Sequence, residues 1–134
     1  MTSNWRVTID DDADLGFALA CLISKAITIG EFKGWTRKVL EDSDDAPGFL
    51  RELGALDYRH EVIVQWPHIV GFWPSWEPCR TEDKAISGIA YARFPDHHAD
   101  DVTRSAALAT LRKSHKLCAR FNDFFPTAKV PELV

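Results

Sequence analysis

Most of the features that announce a chemistry are missing from this chain. It has three cysteines, Cys21, Cys79 and Cys118, an odd number scattered over 134 residues. No two of them have zinc-finger spacing, and they are too few for a disulfide framework. Cys21 and Cys118 fall on apolar helix faces, so buried thiols in a reducing cytoplasm are the expectation. No apolar run approaches the ~18 residues that span a bilayer. The opening Met1-Thr2-Ser3-Asn4-Trp5 has neither the basic n-region nor the apolar h-region of a signal peptide. A Gly-rich phosphate loop, H-E-x-x-H and G-x-S-x-G are all absent. Internal repeats, low-complexity stretches and a domain linker are absent too. No cofactor is implied.

What is present is ordinary in amount and uneven in layout. A hydrophobic fraction of 46% with 27% charged residues suits one globular domain over residues 1–134 with a core of its own. The net charge is −4, yet residues 1–60 hold 11 acids against 7 bases, while residues 61–134 hold 9 of each. The acidic half suits a basic partner and disfavours nucleic acid.

Periodicity sets out the elements. Trp5, Val7 and Ile9 alternate with polar neighbours and predict a short strand over residues 5–10. Leu15, Ala18, Leu19, Leu22, Ile23 and Ala26 follow helical spacing over residues 12–26. Thr28 and Glu31 form a capping-box pattern that starts a second helix, with Phe32, Trp35 and Val39 inward. Asp42-Ser43-Asp44-Asp45 ends it. Pro47 opens a short third helix with Phe49, Leu50 and Leu53 inward and Gly54 as its stop. Val62, Val64 and Trp66 alternate, predicting a strand at 61–66. Three prolines among Trp66, Phe72, Trp73 and Trp76 predict an aromatic loop over 66–79. Residues 81–94 read as a helix capped by Thr81, or, because Gly88 weakens a helix, as a strand over 86–94. A long last helix runs from Asp100 or Asp101 to Asn122. The fold class expected is therefore α+β and predominantly helical, with an N-terminal three-helix segment, a small β element and a long C-terminal helix.

Two acidic segments invite a catalytic reading. Asp10-Asp11-Asp12-Ala13-Asp14 precedes a helix, and Asp96-His97-His98-Ala99-Asp100-Asp101 follows Phe94-Pro95. Carboxylates and imidazoles together can hold Mn²⁺ or Zn²⁺, and a bound metal can generate hydroxide. The pair resembles the motifs of DHH phosphoesterases, which implies Asp12, Asp14, Asp96, His97 and His98 as metal ligands. The chain departs from that family at Leu15, where the first motif has Gly, and in reading as helices over 15–56 where the family has a parallel sheet. Acids at a helix N-terminus also complement the macrodipole and cap free N–H groups, and both clusters sit where a helix is expected. Helix capping is the preferred reading.

The remaining single residues carry less. Cys79 beside Arg80 could be a nucleophile, but no base is partnered with it in sequence. His60, His68 and His115 are isolated. Arg104, Arg112, Lys113, Lys116 and Arg120 on the last helix fit the solvated side of an amphipathic helix as well as they fit a phosphate track.

The tryptophans say more. There are five, three of them within residues 66–76. A proline-stiffened loop presents aromatics at low entropic cost, and Trp is favoured at binding hot spots; the same residues could instead fill a core. Residues 15–56, about a third of the chain, resemble small helical immunity proteins of bacterial toxin systems. The resemblance rests on the first helix, Thr28-Ile29-Gly30-Glu31-Phe32, Trp35, the Asp-rich turn and Pro47-Gly48-Phe49-Leu50. It implies a cytoplasmic, non-enzymatic protein that binds and neutralises a cognate bacterial toxin domain, often a nuclease with a basic cleft. Asp42, Asp44, Asp45 and Glu52 would steer association, and Trp73, Trp76 and Glu77 would anchor it. The alternatives are a small metal-dependent phosphoesterase and a structural or regulatory subunit dimerising through the aromatic loop.

Overall fold

A computed structural model of the chain describes residues 5–128 and residue 130, and every described element is helical. The order is α1 (Ala13–Ile23), α2 (Ile29–Asp42), α3 (Phe49–Gly54), α4 (Arg59–Ile69), α5 (Arg80–Arg93), α6 (Arg104–Arg112) and α7 (His115–Phe124). The small β element expected from the sequence is not formed among the described residues, so the α+β class is replaced by an all-helical one. No described helix is long and apolar enough to cross a membrane.

α1 is the centre. Leu15, Gly16, Phe17, Ala18, Leu19, Cys21 and Leu22 are all buried, so it is covered on nearly every side. α2 begins with the expected capping box: Glu31 N–H donates to Thr28 Oγ1 at 3.1 Å, and Thr28 N–H donates to Glu31 Oε1 at 2.8 Å. Its Phe32, Trp35 and Val39 are buried as the spacing requires. Trp35 stacks on Phe124 of α7 with ring planes 3° apart, which joins α2 to α7.

The three strand expectations fail for separate reasons. Over residues 5–10 the chain makes only a tight turn, in which Thr8 and Asp11 exchange two backbone hydrogen bonds at 3.1 Å. At 61–66, Val62 and Trp66 are fully buried while Val64 is 64% exposed. Val62 and Trp66 are one helical turn apart, so the residues that alternate also satisfy the helical rule. Pro67 lies inside α4, so the aromatic loop starts later than expected. Its missing N–H comes in the last turn, where its helical partner is the carbonyl four residues back. At 86–94 the helix wins because Gly88 is needed for packing: a Cβ there would sit 2.6 Å from the Ala107 carbonyl oxygen and 2.9 Å from Leu111 Cβ. The glycine that weakens α5 locally lets α6 lie against it. Cys79, not Thr81, is the N-cap of α5, its backbone N–H bonding Glu82 at 2.9 Å.

The expected last helix is two helices. Thr103 caps α6 through Ala106 N–H at 3.2 Å. At the other end Ser114 Oγ donates to the Thr110 carbonyl at 2.8 Å and the backbone turns away from helical geometry. A serine hydroxyl competing for a carbonyl is a known way to interrupt a helix.

Two arginines tie the turn after α1 to the rest. Arg93 forks onto Glu31, with Nη1–Oε1 at 2.8 Å and Nη2–Oε2 at 2.6 Å, and also bonds the Ala26 carbonyl at 2.7 Å. Arg59 donates to the carbonyls of Leu22 at 2.8 Å and Ile27 at 2.9 Å.

Candidate functional site

The aromatic segment after α4 is fixed from across the chain by Asp12. This carboxylate is 4% exposed and accepts the backbone N–H groups of Ser75 at 2.7 Å and Trp76 at 3.0 Å, together with the Ser75 hydroxyl. Burial alone would raise its pKa; the Ser75 and Trp76 donors outweigh burial and hold it below the usual value of 3.8. Asp12 occupies the N-cap position of α1 yet makes no capping bond with its side chain, so the capping expected of it is not what it does.

Close contact completes the attachment. Gly16 has no room for a Cβ, which would lie 2.8 Å from the Trp76 carbonyl oxygen and 3.2 Å from Pro74 Cβ. Trp76 meets Phe17 edge-on at 6.1 Å. Arg120 lies over Phe17 at 4.4 Å and Trp76 at 5.1 Å while bonding Asp14 and the Ala13 carbonyl, each at 3.0 Å. One guanidinium therefore joins α7, α1 and the loop.

Between α1 and this loop runs a groove of about 280 Å³, walled by Leu19, Ala20 and Ile23 on one side and by Trp73, Trp76 and Glu77 on the other. The three residues expected as an anchor thus share one groove, but they differ in role. Trp76 is half-buried and forms the wall. Trp73 is 53% exposed, and one face is supported by the buried Trp66, with ring planes 11° apart. Trp66 in turn donates its indole N–H to the Phe72 carbonyl at 2.8 Å. Ile23, expected in the core, is 47% exposed and lines the groove instead. The signal was in the sequence: α1 has more apolar positions than one buried stripe requires.

The four expected steering acids are all exposed. Asp42 accepts the Trp5 indole N–H at 3.0 Å, and Asp44 and Asp45 lie in the turn after α2. Glu52 is on α3, whose first residue, Phe49, meets Phe72 edge-on at 6.0 Å. The acidic turn and the aromatic loop are therefore joined through α3.

The ligand set implied by the phosphoesterase resemblance is not assembled. Asp12 is committed to Ser75 and Trp76, and Asp14 accepts from Arg6 N–H and Arg120. Asp96, His97 and His98 are in the loop between α5 and α6, and His98 pairs with Asp100 at 3.1 Å. No group of three His, Cys, Asp or Glu among the described residues is placed to hold a metal ion. The chain matches no family model, no curated protein and no solved structure.

Proposed function

We propose that this chain is a non-enzymatic immunity or antitoxin-type protein that binds and neutralises a cognate bacterial toxin domain with a basic face, such as a nuclease. The observation that carries the reading is Trp73: a large apolar side chain left half in solvent on a loop that Asp12, Pro74 and Pro78 hold still. A half-exposed indole at a fixed position is the kind of residue that anchors binding hot spots. A rigid loop loses little entropy on binding, so more of the contact energy appears as affinity. Asp42, Asp44, Asp45 and Glu52 add negative potential nearby, which raises the association rate with a basic partner at low salt.

The test is growth of bacteria expressing the neighbouring gene with and without this chain. Killing by the neighbour alone and rescue by the chain support the reading. A harmless neighbour, or failed rescue by a folded chain, removes it. The Trp73→Ala variant refines the result: it should fold normally and weaken binding about 30-fold or more, as hot-spot tryptophans do.

A further inference from the structure

We propose a second binding site, for a phosphoryl-type oxyanion carried by a small molecule, in the concavity between the α1–α2 turn, the start of α4 and the α5–α6 loop. This pocket of about 420 Å³ is lined by Lys25, Thr28, Arg59, Asp96, His97 and His98. It does not depend on the docking reading and shares no residue with the Trp73 groove.

Three arginines of this chain are drawn partly inside the fold, and they differ in one respect. Arg93 has Glu31 and Arg120 has Asp14 as carboxylate partners. Arg59 has none among the described residues; its bonds go to the carbonyls of Leu22 and Ile27. A guanidinium withdrawn from water with only neutral acceptors carries a desolvation cost that a counter-anion would offset. Burial accordingly depresses the pKa of Arg59, with no acidic neighbour opposing it.

Lys25 adds positive potential to the pocket. It is the one described non-glycine residue with positive φ, at 65°, so the turn holds its Cα in a conformation that L side chains rarely adopt. No described carboxylate pairs with it. His97 stacks edge-on against Tyr91 at 4.6 Å, and its Nε2 is buried without a hydrogen-bond partner. Desolvation is the largest cause of its lowered pKa, and Lys25, His98 and Arg104 push the same way. Asp96 is the one acid on the lining, and it is exposed.

The end of the Arg59 guanidinium not taken by the Leu22 and Ile27 carbonyls, the Lys25 ammonium and the exposed His98 ring, which pairs with Asp100, surround one concavity and suit a phosphoryl dianion. The Thr28 hydroxyl lines the pocket but is engaged with Glu31, accepting from its N–H and bonding its carboxylate, so the main anion-binding groups are Lys25 and Arg59. An overall charge of −4 weighs against a long polyanion and in favour of a single small one.

The experiment is an NMR titration of the full chain with inorganic phosphate at constant ionic strength, chloride being the balancing ion. Saturable shifts at His97 and in the Lys25 turn are expected, together with a rise in the His97 titration midpoint, because a bound anion favours the imidazolium. Lys25→Asn removes the ammonium and suits the left-handed turn, so it should fold and weaken phosphate binding about tenfold. His98→Gln should weaken it less. Shifts that chloride reproduces, shifts that do not saturate, or unchanged binding in folded Lys25→Asn would each overturn the proposal.

Discussion

Asp12 and Ser75 are 63 residues apart in the chain, and the carboxylate of the first accepts the backbone N–H of the second at 2.7 Å. The adjacent Trp76 N–H donates to the other carboxylate oxygen. An acid at the start of the central helix thus acts as the fixed acceptor for an irregular segment that has few backbone partners of its own. Irregular chain with aromatic side chains would otherwise sample many conformations. Held this way, it presents one.

Replacing Asp12 by Ala should release the loop. Two backbone donors and a hydroxyl lose a charged acceptor, a cost on the order of 3 kcal/mol. Urea unfolding followed by far-UV circular dichroism would measure the loss, and fluorescence would show added tryptophan exposure in the native baseline. An unchanged midpoint would mean that Asp12 does not hold the loop.

Gly16→Ala tests the same attachment from the other side. The added methyl would meet the Trp76 carbonyl oxygen, a backbone atom that cannot swing away. Alanine is the better helix former by roughly 1 kcal/mol, so α1 itself gains. The expected outcome is a displaced loop on a folded protein: helical content kept, Trp73 and Trp76 emission altered, partner binding weakened. A variant more stable than the parent with the same emission spectrum would show that the loop tolerates the shift.

The N-terminal helices could be read from the sequence because local signals and packing agree there. Thr28 and Glu31 state a helix start, and Phe32, Trp35 and Val39 fall on one face. The failures came where two patterns fit the same residues. Val62 and Trp66 are compatible with a strand through Val64 and with a helix without it, and only burial chooses. Gly88 lowers helix propensity locally and raises packing quality against Ala107, a benefit that no local pattern encodes. The site was half legible. Trp73, Trp76 and Glu77 were picked out by type and by the prolines around them. Gly16, Ile23 and Asp12 were not assigned to the groove, because their roles depend on a contact between α1 and a segment more than fifty residues away.

Glu31 joins two functions in one side chain, as the capping acid of α2 and the partner of Arg93. Its side chain is 15% exposed and that of Arg93 is 11% exposed. Glu31→Gln would remove the carboxylate charge that both terminal nitrogens of the partly buried guanidinium contact, at a cost of about 3 kcal/mol. Thermal unfolding checks it, with Lys33→Met as the contrast. Lys33 pairs with Asp57, which is largely exposed, so its loss should cost well under 1 kcal/mol.

Acid should destabilise the protein in two stages, each with a definite sign. His97 has a lowered pKa, so the unfolded chain takes up a proton first, and stability begins to fall below its ordinary value of 6.5. Asp12 and Glu31 are also held below their ordinary values of 3.8 and 4.5. Their contributions are complete above those values and are lost as pH falls through the lower folded ones. Asp83 runs the other way, since desolvation and Asp101 raise its pKa and acid relieves it. Chemical denaturation across this pH range should show a shallow loss followed by a steeper one. Asp12→Asn should flatten the second stage and leave the first in place.

The cysteines provide a check on the core that needs no partner. Cys79 is exposed, Cys118 is half-buried and Cys21 is fully buried in α1. Burial pushes the Cys21 thiol far above its usual range, against a weaker pull from Arg120, and the thiolate is the reactive form. A thiol reagent applied to the native protein should therefore label Cys79 quickly, Cys118 slowly and Cys21 only at the rate of unfolding. Because α1 is both the centre of the core and one wall of the Trp73 groove, Cys21 also reports on the groove. If Asp12→Ala frees the loop without opening the core, Cys21 protection stays at the parent level. If protection falls in step with the loop, the loop is part of the core's cooperative unit, and the groove is then as stable as the fold itself.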